Sequence, residues 1–158
     1  MTERSVTHAT FVIERTYKAA RERVFAAFAT KEAKGRWFGG DLDKPDPNHR
    51  LDFRVGGEEY SSGGFEEGGA IYTYRAIFHE IVPGERIVHS YTMDRDDTRM
   101  SLSLATVELR PRDGGTHLIY TEMGAFLDGH DKVEFREEGT KQLFDNLGVV
   151  LTREGANA

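Results

Sequence analysis

Six histidines, a set of tyrosines and a few carboxylates are the groups in this sequence that could do chemistry, and no cysteine stands among them. Without cysteine there is no thiolate nucleophile, no thiolate zinc site and no disulfide framework. No serine lies in a G-x-S-x-G turn, which leaves out a nucleophile elbow as well. His8, His49, His79, His89, His117 and His130 show neither H-x-x-x-H nor H-E-x-x-H spacing. The carboxylates of DLDKPDPN lack the glycine and the closing glutamate of a calcium loop. The glycines around Gly56 and Gly63 lack the lysine and helix start of a phosphate loop. No metal site and no cofactor are expected.

Alternation offers something better. Tyr72, Tyr74, Ala76 and Phe78 share one strand face, His89, Tyr91 and Met93 a second, and Leu118, Tyr120 and Glu122 a third. If these faces are concave, they enclose a cavity with aromatic walls and a few polar handles, suited to a small, mostly apolar ligand. Glu122 could then act as a general acid or base beside His89, Tyr74 or Tyr91. A plainer reading stands beside that one. Tyrosine pairs on a sheet are often cross-strand packing, His89 could be a satisfied or exposed strand residue, and Glu122 could close a structural salt bridge with Arg15 or Arg54. Trp37 and Phe38 fit a cavity mouth or the core.

The elements that must position these residues follow from the pattern. Thr10 to Tyr17 alternates and predicts a strand. AARERVFAAFAT carries Val24, Phe25 and Phe28 at helical spacing. Thr30 can cap a second short helix that bears Trp37 and Phe38 near its end and stops at Gly39-Gly40. Asp41 to Asn48, with two prolines, is a loop. LDFRVGG predicts a strand with Leu51, Phe53 and Val55 on one face. EEYSSGGFEEGG predicts a short strand and a mobile acidic hairpin tip. Ile71–Ile81, Ile87–Met93, Met100–Arg110 and Thr116–Met123, separated by turn signals, predict a meander. From Val133 to Leu151 the period becomes helical, through Phe135, Leu143, Phe144, Leu147 and Val150. Gly139 interrupts that stripe and is expected where helix and sheet approach closely.

The fold class expected is α+β of the helix-grip type. A curved antiparallel sheet of about six or seven strands wraps around a long C-terminal helix, with two short helices after the first strand. The 158 residues suit one domain with an ordered core over 8–154. The formal charge of −6, without a basic stripe, argues against nucleic-acid binding. No run approaches ~20 apolar residues, so membrane insertion is not expected. The charged N-terminus lacks a signal-peptide core, and a cytoplasmic location is inferred. Either a monomer or a homodimer is compatible with the sequence.

Arg15, the Val24-Phe25 pair of RERVFAAF, Trp37 of RWFGG, and Asp52, Arg54, Gly56 and Gly57 of LDFRVGG occur in a suggestive order. EIVPGERIV and EEGTKQLFDNLGVVL follow, the latter with Gly139, Leu143 and Leu147. Together they resemble the activator of heat-shock-protein-90 ATPase homologue family, within the superfamily of birch-allergen-like and lipid-transfer domains. Ala20 stands where many relatives carry proline, and Thr140 where many carry tryptophan. The resemblance implies a helix-grip fold and a cavity between sheet and helix for a small hydrophobic or aromatic molecule. Phe28, Trp37, Phe38, Phe53, Tyr72, Tyr74, His89, Tyr91, Tyr120, Glu122, Phe144 and Leu147 are the candidate lining. It also implies two alternatives, a polyketide-cyclase or aromatase type enzyme using Glu122, His89 and Tyr74, and a chaperone-interacting module using the acidic segment Glu58 to Glu67.

Overall fold

The period-two runs form long strands in the computed structural model, which describes residues 3–39, 41–42 and 44–156. Strand β1 (Val6–Tyr17) leads to helices α1 (Arg21–Ala29) and α2 (Lys31–Gly35). Six strands follow, β2 (Arg50–Leu51), β3 (Glu58–Gly63), β4 (Tyr72–Val82), β5 (Arg86–Arg95), β6 (Thr98–Arg112) and β7 (Gly115–Leu127), and then helix α3 (Val133–Ala156). All belong to one seven-stranded antiparallel sheet in the order β1-β7-β6-β5-β4-β3-β2. The fold is the α+β helix-grip arrangement. Among the described residues no helix is long and apolar enough to cross a membrane.

Turn chemistry sets the meander. Asp113 and Gly114 both take positive φ, +50° and +81°, and join β6 to β7. That is the backbone a tight hairpin needs to match the strand twist. Register shifts lie between Phe78 and Glu80 and between Met93 and Asp94. Such bulges bend the strand and help the sheet to curl.

The apolar stripe of α3, with Phe144, Leu147, Val150 and Leu151 buried, lies against the inner face near β1. Tyr17 fixes the distance by donating its hydroxyl to the Phe144 carbonyl at 2.8 Å. Trp37 plugs the gap between α1 and α3. Its indole N–H donates to the Ala27 carbonyl at 3.0 Å, and its ring meets Phe28 and Phe144 at 4.9 and 6.1 Å. Thr30 caps α2 through its hydroxyl, which accepts from the Ala33 N–H at 3.1 Å.

Three local expectations need correction. Helix α2 ends at Gly35, before Trp37 and Phe38, which sit in the turn beyond it; Gly40 lies outside the described residues. In LDFRVGG the strand itself ends at Leu51, although Asp52 N–H still donates to the Glu58 carbonyl and Gly56 and Gly57 exchange backbone hydrogen bonds with Phe78. After Leu51 the chain folds on itself, with Arg54 N–H donating to the Asp52 carbonyl and Gly57 N–H to that of Arg54, and Val55 is exposed. Alternation in so short a run cannot outweigh the turn that Gly56-Gly57 makes available. Gly139 faces open space rather than the sheet; the close approach is at Gly148, where a Cβ would lie 3.3 Å from the Tyr17 ring.

These positions give a paired prediction for urea unfolding. Gly139→Ala gains helix propensity with nothing to clash and raises stability by about 0.5–1 kcal/mol. Gly57→Ala would put its Cβ 2.1 Å from the Asp52 carbonyl oxygen, and lowers stability by about 2 kcal/mol or more.

Candidate functional site

Inward-facing residues of β4 to β7 come into rows through the strand register. Phe78, His89, Ala105 and Glu122 form one row, and Ala76, Tyr91, Ser103 and Gly124 the next. The polar members are His89, Tyr91, Ser103 and Glu122, all buried. They divide into two charge networks with an aromatic stretch between them.

Glu122 is fully buried and accepts from every side. Tyr120 donates to Oε1 at 2.6 Å; Tyr91 and Ser103 donate to Oε2 at 2.7 and 2.8 Å. Arg136 of α3 stands 3.5 Å from Oε2. Its Nη1 donates to the Tyr91 hydroxyl at 3.0 Å, and its Nη2 to Ser101 and Asp131 at 2.8 and 2.9 Å. Burial, and then the adjacent Glu122 charge, push the Tyr91 and Tyr120 phenols far up, so both stay protonated as donors. The expected partners Arg15 and Arg54 are engaged elsewhere, with Asp145 and Asp52 at 2.9 Å.

Glu59 anchors the second network on β3. Its Oε1 lies 2.6 Å from Lys34 Nζ and its Oε2 2.8 Å from His49 Nε2, and all three residues are buried. Burial alone would raise this carboxyl, but Lys34 and His49 hold it below its ordinary value. Lys34 also lies 4.5 Å from the Phe38 ring centroid, a cation–π contact in a dry setting.

His89 stands between the networks. Phe78 and Tyr91 flank its ring at 6.0 and 6.1 Å, and its Nδ1 is a buried atom without a hydrogen-bond partner. Burial, and then the nearby Lys34 charge, push its pKa down to about 3, so the imidazole is neutral. Tyr74 stacks beside Tyr91 at 4.8 Å and meets Phe38 at 5.2 Å. Burial pushes its phenol well above the ordinary value. Tyr74, Ala76 and Tyr91 form a hydrophobic cluster separate from the main core, and Phe38 packs against both. The part of the inner face of β4 and β5 that carries Tyr74, Ala76 and Tyr91 is therefore a seam beside the core, while Phe78 and Ile87 of the same strands belong to the core itself.

The remaining candidates divide accordingly. Phe28, Trp37, Phe144 and Leu147 belong to the main core, and Phe53 packs on its edge against Phe25 and Phe78. Tyr72 lies half-buried at the far end of β4 against Phe65. Sequence reasoning missed Arg136, Lys34, Glu59 and His49. Arg136 had a signal, because it falls four residues before Thr140 and eight before Phe144 on the buried stripe. Lys34 sits three residues before Trp37. Glu59, in an acidic run, had none.

The opposite face of the sheet carries a groove of about 650 Å³ across β2 to β6. Arg50 and Arg75 stack on the Tyr60 ring there, at 4.3 and 4.9 Å. Among the described residues no cluster of three or more His, Cys, Asp or Glu could hold a metal ion.

The profile of the family described as activator of Hsp90 ATPase homologue 1-like protein matches residues 18–152. A solved structure from Rhizobium leguminosarum is 41% identical, covers 96% of this chain and 99% of its own, and superposes with a TM-score of 0.91. One from Rhizobium loti is 48% identical over 92% of this chain and 98% of its own, with a TM-score of 0.85. A member of the same family from Aeromonas hydrophila, 19% identical over 93% of this chain and 94% of its own, shares the fold with a TM-score of 0.69. No curated protein matches the chain.

The neutral histidine predicts a pH signature. Unfolded, His89 takes a proton near its ordinary value of 6.5; folded, it resists to about 3. The unfolded chain thus binds the extra proton in that window, and stability falls as pH drops through it. From pH 7 to pH 5 the loss is about 2 kcal/mol by urea titration, and His89→Phe flattens that part of the profile. The Glu59 contribution is present above its ordinary value of 4.5 and is lost only at lower pH, as the solution falls through its depressed folded value.

Proposed function

This chain belongs to the activator of Hsp90 ATPase homologue 1-like family, and we propose that within this fold it binds a small, mostly apolar or aromatic molecule on the inner face of β4 and β5. The observation that carries the reading is His89. A buried nitrogen without a partner is rare in a folded protein and costs about 1–3 kcal/mol. A ligand group that meets it recovers that free energy. Around it, Phe38, Tyr74, Phe78 and Tyr91 supply flat apolar walls, the usual makeup of a small-molecule site.

A cavity enzyme would need a carboxylate free to move a proton. Both Glu122 oxygens are taken by the protein's own donors, which favours binding over acid–base chemistry. The chaperone reading draws on the family description and on the exposed acidic segment around Phe65.

Prodan, an uncharged dye whose emission shifts to the blue in apolar surroundings, tests the site. Its emission rises and saturates with the wild-type protein. Ala76→Phe, which fills the row between Glu59 and Tyr91, lowers the apparent affinity at least ten-fold while the circular dichroism is retained. Wild-type protein that leaves the dye emission unchanged would sink the reading.

A further inference from the structure

Charge accounting on the inner face says what kind of molecule it can take. Two buried cations approach the seam, Lys34 and Arg136. Lys34 is 2.6 Å from Glu59. Arg136 spans two carboxylates, Asp131 at 2.9 Å and Glu122 at 3.5 Å. Neither cation is left over for an incoming anion. A ligand carboxylate would lose its water and meet three resident carboxylates whose cations are already engaged. A cationic ligand gains little beside His89, because burial, the main reason the imidazole stays neutral there, disfavours any charge, and the Lys34 and Glu59 charges act on that point in opposite directions.

What the seam does offer is uncharged. His89 presents one unpartnered ring nitrogen, a donor or an acceptor according to the tautomer. Tyr91 and Phe78 flank it with ring faces, and Tyr74 continues the wall.

We propose that the site selects uncharged ligands over anionic ones, and that its ligand is a flat aromatic molecule with one neutral hydrogen-bonding group, such as an amide, hydroxyl or ketone, directed at His89. This rests on the binding site described above and adds its selectivity. His89 is the specificity-determining residue, while Lys34–Glu59 and Arg136–Glu122 set the charge rule by leaving no free cation.

The test compares two ligands with the same ring system, 2-naphthamide and 2-naphthoate, by isothermal titration of the full-length protein at pH 7.5. The amide can donate or accept and so meets either imidazole tautomer. It is expected to bind at least ten-fold more tightly than the carboxylate. In His89→Phe the affinity for 2-naphthamide falls about ten-fold, while that for naphthalene, which has no polar group, stays within two-fold. Naphthoate binding as tightly as the amide overturns the selectivity and leaves the binding site standing. Amide affinity unchanged in His89→Phe overturns the role of His89. Failure of both naphthamide and naphthalene to bind wild-type protein removes the binding site and the selectivity together. The wild-type comparison decides the charge rule whether or not the variant folds.

Discussion

A carboxylate cannot be left dry without partners, and the inner face of this sheet carries two, Glu122 and Glu59. Each is satisfied mainly by side chains from outside its own strand. Glu122 on β7 draws on Tyr91 of β5, Ser103 of β6 and Arg136 of α3, as well as Tyr120 of its own strand. Glu59 on β3 draws on Lys34 of α2 and His49 of the loop before β2. Once these carboxylates are buried, the positions of α2 and α3 are no longer free. The start of the long helix must bring Arg136 to the sheet, and the short helix must turn Lys34 inward.

The two networks tie the helical layer to the sheet at separate points. One joins the start of α3 to β5, β6 and β7, and the other joins α2 to β3. Further along α3 an apolar contact takes over, where Phe144, Leu147 and Gly148 pack near Tyr17 and Trp37. Between these fastenings the inner side of β4 and β5 is covered by aromatic rings that form a cluster of their own. His89 lies in that interval. Its neutrality follows first from burial; within the network that anchors α2, Lys34 adds to that effect and Glu59 opposes it.

Such an arrangement couples stability to the site. Removing one member of a buried pair leaves its partner charged and dry, which is far more damaging than losing a surface ion pair. Exposed pairs such as Arg36–Glu154 carry no comparable constraint. Substitutions of Lys34, Glu59, Glu122 or Arg136 therefore report on folding before they report on a ligand. His89, neutral and unpaired, can be changed without stranding a charge.

Period-two alternation, turn residues and the helical stripe from Val133 were enough to read the order of elements and the antiparallel meander, and to group Tyr74, His89, Tyr91, Tyr120 and Glu122 by shared strand faces, but not to say that those faces turn inward. Those signals are local, because side-chain direction in a strand depends only on parity along the chain. The same local logic erred at LDFRVGG and at Gly139, where a turn and the rotation of a helix about its axis decide the outcome. It could not pair Glu122 with Arg136, or Glu59 with Lys34 and His49. Each is a meeting of side chains whose partners are set by how the helices dock on the sheet, and that docking depends on the packing of Tyr17, Trp37 and Phe144 together. The sequence by itself determined which residues share a strand face, because parity along the chain is local; only the tertiary structure decided which faces turn inward, which residues hold one another, and that His89 Nδ1 is left without a partner.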